Sequence, residues 1–192
     1  MDFSFSKITT QIKELLFTPT DFWKQEKEKE EPTKLLWVTY MLPIVLVVAI
    51  AVFIGEFFKR TDFFIEYPLL KAFREIILFI LQYFISVFLT TELMKTFGAE
   101  KNIVLVRKLV VYSMTPLMLV SVLTGLFPFL YVLDILGVYS FYLFWVGAKE
   151  LLTFPDNKEH SYIILTVVVN FFAFSFLGWI LSEIFKFLML QM

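Results

Sequence analysis

The stretch Leu109 to Ala148, LVVYSMTPLMLVSVLTGLFPFLYVLDILGVYSFYLFWVGA, carries a single charged residue, Asp134. A membrane span needs about 20 apolar residues at roughly 1.5 Å rise each, so this stretch is long enough to cross a hydrocarbon core twice. The chain must therefore reverse near its middle, and Gly125 and Pro128 mark the place. The reading is a tight antiparallel hairpin of spans at about 109–127 and 130–151, with Lys149 snorkelling at the far end.

Similar runs lie on both sides of the hairpin. Leu35 to Gly55 is uncharged and ends at Glu56, Lys59 and Arg60, giving a span at about 35–57. Pro43 inside it removes a backbone donor and predicts a kink. Ile76 to Thr91 lies between Glu75 and Glu92 and extends to a span at about 72–97 with its charged ends at the interface. Ser161 to Ser182, between Glu159 and Glu183, gives a fifth span at about 161–183. The predicted fold is all-α: an integral membrane bundle of five transmembrane helices over residues 35–192, preceded by a cytoplasmic segment, 1–34, with a short amphipathic helix.

Composition agrees, with 59% of the 192 residues apolar, only 18% charged, and 25 phenylalanines. A water-soluble domain of this size would expose too much of that surface. The net charge of -1 gives no argument for nucleic acid or for an acidic substrate. The absence of cysteine removes disulfides, thiolate metal sites and cysteine nucleophiles together. Met1 to Phe17 lacks the features of a secretory signal, so the first span is expected to be retained.

Within the N-terminal segment, Phe5, Ile8, Ile12, Leu15 and Leu16 recur at helical spacing. This face either lies on the membrane surface or packs on the bundle. Phe22 and Trp23 are aromatics of the kind that settle at headgroup level, and the mixed charges of Lys24 to Glu31 read as solvated surface. Twelve Lys and Arg fall on the N-terminal side of the membrane, in Lys7 to Lys34, in Lys95 to Lys108, and at Lys149 and Lys158. The other side receives five: Lys59, Arg60, Lys71, Arg74 and Lys186. That asymmetry places the N-terminus in the cytoplasm and, with an odd number of spans, the C-terminus outside.

No phosphate-binding loop, metal-spaced His cluster or nucleophile elbow is present, so no catalytic, cofactor or metal residues are assigned and no cofactor is expected. The one histidine, His160, reads as a solvent-facing loop residue. Ionisable groups at membrane depth line cavities or pair with one another. Asp134 is the clearest candidate, although its closeness to the turn favours a hydrated position at the interface; Glu92 and Glu56 sit near span ends. Deeper polar residues are Gln82, Ser86, Tyr112, Ser113, Thr115, Ser140 and Asn170. Structural hydrogen bonding is their default role and a pore or pocket lining the alternative. Small residues four apart, Ala51/Gly55, Ser121/Gly125 and Gly178/Ser182, allow close helix approach within one chain or between copies.

The run from Arg107 to Pro116, with Tyr112, and the later LFWVGAKEL from Leu143, with Gly147, resemble the Yip1-domain family of five-span membrane proteins. Pro19 with Trp23, a following charged segment, Tyr40 and Pro43 in the first span, and Gly98 before the third extend the resemblance over most of the chain. It implies a cytosolic N-terminus and no active site. The long N-terminal domain of many eukaryotic members is absent, which implies a compact member, bacterial in type, in the cytoplasmic membrane. The small prenylated GTPases with which eukaryotic members associate are a doubtful partner without it.

Two functions follow as expectations. One is a non-enzymatic scaffold that organises lipids or partner proteins through its helix surfaces and N-terminal segment. The other is a small transporter or channel that uses the polar residues of the bundle, with Pro43 and Pro116 breaking helices as ion-coordinating sites require.

Overall fold

The computed structural model describes residues 5–29, 33–59, 65–155 and 158–190. Arg60 and Glu31, which entered the charge reading, lie outside these, as do the side chains of Phe5 and Lys34. The described residues form helices α1 (Phe5–Phe17), α2 (Pro19–Glu28), α3 (Leu42–Lys59), α4 (Glu66–Thr96), α5 (Ile103–Ser113), α6 (Thr115–Leu126), α7 (Tyr139–Leu151) and α8 (Glu159–Leu190). Among them no strand is found.

Five stretches are long and apolar enough to cross a membrane: Trp37–Lys59, Glu66–Thr96, Ile103–Leu126, Pro128–Leu151 and Glu159–Leu188. The chain is thus an all-α bundle of five membrane-length helices with an amphipathic helix ahead of them. In lipid, helices satisfy their own backbone donors and acceptors, which is why apolar runs of this length fold this way.

Three prolines leave a local mark. Ahead of Pro43 the chain makes a π turn over Trp37–Met41, a wide turn in the region where proline withholds the donor for the Thr39 carbonyl. Pro116 stands just past the break at Met114 that separates α5 from α6, and the Leu117 amide, displaced from the helix ladder, donates to Ser140 Oγ at 3.2 Å. Pro128 opens a 3-10 helix, Pro128–Val138, that leads into α7. The fourth span is therefore not α-helical from residue 130. Its first 11 residues are in the tighter form, interrupted by a kink at Leu130 (φ -87°, ψ 18°), with only Gly137 buried.

The N-terminal helices depart from two expectations. Of the two placements open to the face of α1, the structure has bundle packing, with Ile8 and Leu15 buried in the core. Trp23 is not exposed to lipid headgroups: it is fully buried within the protein, as is Phe22. Gly147 permits this, since a Cβ there would lie 2.6 Å from the Trp23 ring. The reading of Lys24 to Glu31 as solvated also fails at Glu26, which is buried beside the equally buried Lys108 of α5. The Lys108 ammonium donates to the Glu26 and Lys29 carbonyls at 2.5 and 2.6 Å, and it stands 3.9 Å from the Glu26 carboxylate. Sequence spacing gave no sign of this pairing, because its two members are 82 positions apart.

Two of the three small-residue pairs meet each other. A Cβ on Gly55 would fall 2.0 Å from the Gly125 carbonyl oxygen, and one on Gly125 would fall 2.7 Å from Val52. Together they bring α3 and α6 into close contact. The third pair acts differently: Arg74 of α4 donates to Ser182 Oγ at 2.8 Å and to the Gly178 carbonyl at 3.3 Å, fastening α8. Gly55→Ala should therefore lower stability in detergent by roughly 1–3 kcal/mol through overpacking against backbone. Gly178→Ala, whose Cβ would find its nearest neighbour at 4.0 Å, should leave the thermal unfolding midpoint nearly unchanged.

Candidate functional site

The two halves of the bundle are filled differently. The half next to α1 and α2 is packed solid around Tyr112, whose ring meets Phe22, Trp23 and Tyr40 edge-on with centroids 4.9, 5.9 and 4.8 Å away. Most polar atoms here are paired, the Trp23 indole N–H being an exception among the described residues. Tyr40 Oη and Thr115 Oγ1 share a hydrogen bond of 3.0 Å, Gln11 donates to the Tyr112 hydroxyl at 3.4 Å, and Tyr139 donates to the Leu16 carbonyl at 2.9 Å. Most of the family-like positions converge on this cluster. Pro19 starts α2, Trp23, Tyr40 and Tyr112 form the aromatic core, and Gly147 makes room for Trp23. Gly98 adopts φ 78°, open to glycine without strain, and ends α4.

The opposite half holds a cavity of about 680 Å³ between α3, α4, α6, α7 and α8. At its deep end, near the middle of the helices, lie Gln82, Ser86, Ser113, Ser140 and Asn170. About 12 Å nearer the end of the bundle, eight residues along α4, its mouth is lined by Glu56, Lys71, Arg74, Glu75 and Asp134. The wall between is aromatic, with Phe141 and Phe144 on α7 and Phe171 and Phe174 on α8. Tyr131, Asp134 and Phe171 line the cavity yet are exposed, so it opens along the flank between the 3-10 helix and α8 as well as at the end.

Charges at the mouth are mostly matched. Lys71 pairs with the buried Glu56 at 2.8 Å, and Arg74 pairs with Glu75. Among the described residues Asp134 makes no ion pair, so one carboxylate is left over. At the deep end, Gln82 Nε2 donates to Ser86 Oγ at 2.9 Å and to the Asn170 carbonyl at 3.5 Å. Asn170 Nδ2 donates to the Thr166 carbonyl at 2.9 Å. Because a carbonyl can only accept, the bond to Thr166 fixes which amide atom of Asn170 is nitrogen. Gln82 Oε1, Asn170 Oδ1 and Ser113 Oγ are buried with no hydrogen-bond partner among the described residues.

Of the polar residues singled out from sequence, Gln82, Ser113 and Asn170 come together in the cavity and Asp134 joins them at its mouth. Tyr112 and Thr115 do not; they belong to the packed half. Glu92 is exposed and paired with Lys101, away from the cavity. The sequence reading passed over the ionic mouth. Lys71 stands three residues before Arg74 and four before Glu75 on α4, a signal that a search for uncharged runs discards.

An all-α, multi-pass integral membrane protein with this packed aromatic centre is the class the fold defines. The family model described as the Yip1 domain matches residues 13–177, and the chain belongs to that family. No curated protein and no solved structure matches it.

The burial of Lys108 and Glu26 makes a prediction about the packed half. Lys108→Met takes the donor away from the Glu26 and Lys29 carbonyls and leaves the buried Glu26 carboxylate with Lys29 alone, 2.5 Å away, so it should destabilise the fold by about 1–3 kcal/mol. Limited trypsin digestion should then cut faster at Lys24 and Lys27. Adding Glu26→Leu should not restore the resistance, because the two carbonyls still lack their donor.

Proposed function

We propose that this is a non-enzymatic, membrane-organising member of its family, acting on lipids or neighbouring membrane proteins through the outer surface of its helices. The observation that carries this is α8. It packs chiefly along α4, and Phe171, Phe172, Phe176 and Trp179 remain exposed along it. A helix of membrane length with so little of its surface covered is available to lipid or to another helix. The N-terminal segment enters the proposal as a docked element rather than a free tail, because α2 is held against α7 by the Trp23 contact and by Lys27, which donates to the Glu150 carbonyl at 2.7 Å. In this reading residues 1–34 face the cytoplasm of a bacterial cell, residues 35–192 form the membrane domain, and the C-terminus lies outside, following the excess of basic residues on the N-terminal side.

The second reading, a small transporter or channel, is favoured by the polar cavity. Against it, the packed aromatic half gives a solute entering from the mouth no onward path. Reconstitution into liposomes tests both. The organising reading expects wild type to change a bilayer property such as lipid order, or to recover the same membrane partner from native membranes. Replacing Phe172, Phe176 and Trp179 together by Ala should remove most of that effect, and solute or ion flux should not exceed that of empty liposomes. Flux reduced by Gln82→Ala or Asp134→Asn would replace the organising reading with the transporter.

A further inference from the structure

The deep end of the cavity is chemically one-sided, the one unpartnered nitrogen donor among the described residues of the lining, Arg74 Nε, lying at the mouth. The deep end offers oxygens: Gln82 Oε1 and Ser113 Oγ on side chains only 4% and 5% exposed, with Asn170 Oδ1 beside them, all unpartnered among the described residues. A buried acceptor left unpaired is costly, and in lipid there is no bulk water to relieve it. Gln82 Oε1 and Asn170 Oδ1 can only accept, and the Ser113 hydroxyl can accept as well as donate, so the set calls for a ligand that donates hydrogen bonds.

The mouth points the same way. Both of its cations are already matched by Glu56 and Glu75, while Asp134 has no ion-pair partner among the described residues. An anion entering here would meet an excess carboxylate and then a floor of acceptors. A cation would find both favourable. A bare metal ion fits poorly, because about 680 Å³ is the size of an organic-ligand site, and among the described residues no group of three His, Asp or Glu could hold one. The phenylalanine wall suits an apolar body, and aromatic faces attract ammonium groups.

We propose that the cavity binds a primary ammonium group attached to an apolar body. The ammonium donates to Gln82 Oε1, Ser113 Oγ and Asn170 Oδ1, having passed Asp134. The carbon skeleton lies against Phe141, Phe144, Phe171 and Phe174. The source of the group is either a free amine from solution or the headgroup of an aminophospholipid entering by the open flank between the 3-10 helix and α8.

The test uses the full chain in nanodiscs of choline phospholipid, with protonated hexylamine as the free probe and its neutral N-acetyl derivative as control. Hexylamine should bind and raise the unfolding temperature, while the acetylated compound should not. Gln82→Leu should weaken binding at least about tenfold, the scale of one hydrogen bond to a charged group. Ser113→Ala and Asp134→Asn should each weaken it several-fold; these two keep the test decisive if Gln82→Leu fails to fold. If nanodiscs containing ethanolamine phospholipid raise the unfolding temperature unaided and displace hexylamine, the lipid headgroup is the occupant. If they do neither while hexylamine binds, a free amine is. Absence of binding by both sources would overturn the proposal, as would equal binding of the acetylated control or affinity untouched by Ser113→Ala and Asp134→Asn.

Discussion

Trp23 packs against α7 at Gly147, and the arrangement of the bundle follows from that contact. A ring this large can enter the core only where the facing residue has no side chain, and once there it brings α2 within reach of Lys108. The Lys108 ammonium then occupies carbonyls at the end of α2, where the helix leaves acceptors unpaired and its dipole favours a cation. Burying that charge is costly. The Glu26 carboxylate and the two carbonyls offset the cost, so the N-terminal helices and the start of α5 hold together as one unit. Tyr112 completes it by packing on Phe22, Trp23 and Tyr40.

The cavity is the counterpart of that packing. The N-terminal helices fill one half of the bundle, and in the other half the spans enclose the cavity. There α3 and α6 touch backbone to backbone at Gly55 and Gly125, α8 is fastened to α4 through Arg74, and the 3-10 helix after Pro128 buries only Gly137. The same chain thus has a rigid aromatic end and an open polar end.

Apolar run length was enough to read the five-span bundle, because a charge-free stretch of about 20 residues has few other uses. Gly125 and Pro128 gave the reversal of the hairpin for the same local reason. What lay hidden depended on contacts between distant positions. Nothing near Glu26 distinguishes it from the solvated glutamates around it, and Lys108 reads as one more interfacial cation until the two are brought together. The candidate site was half legible. Gln82, Ser113, Asp134 and Asn170 stood out as polar residues on apolar spans, and they meet in the cavity. Tyr112 and Thr115 stood out equally and belong to the packed half, since the sequence shows that a residue is polar and in a span but not which face of the bundle it turns to. The tyrosine, proline and glycine positions of the family pattern were informative because each answers a packing need: a slot at Gly147, a ring at Tyr112, a helix break at Pro116.

The central claim is that the cavity opens only on the side away from the N-terminal helices. The chain has no cysteine, so a single introduced thiol reports alone. Cysteine at position 82, 134 or 40 would be treated in sealed vesicles with a membrane-impermeant maleimide, applied from one side at a time. The account predicts that Asp134→Cys and Gln82→Cys react from the side opposite the N-terminus and not from the N-terminal side, and that Tyr40→Cys reacts from neither. Labelling of Gln82→Cys from the N-terminal side, or ready labelling of Tyr40→Cys, would contradict it.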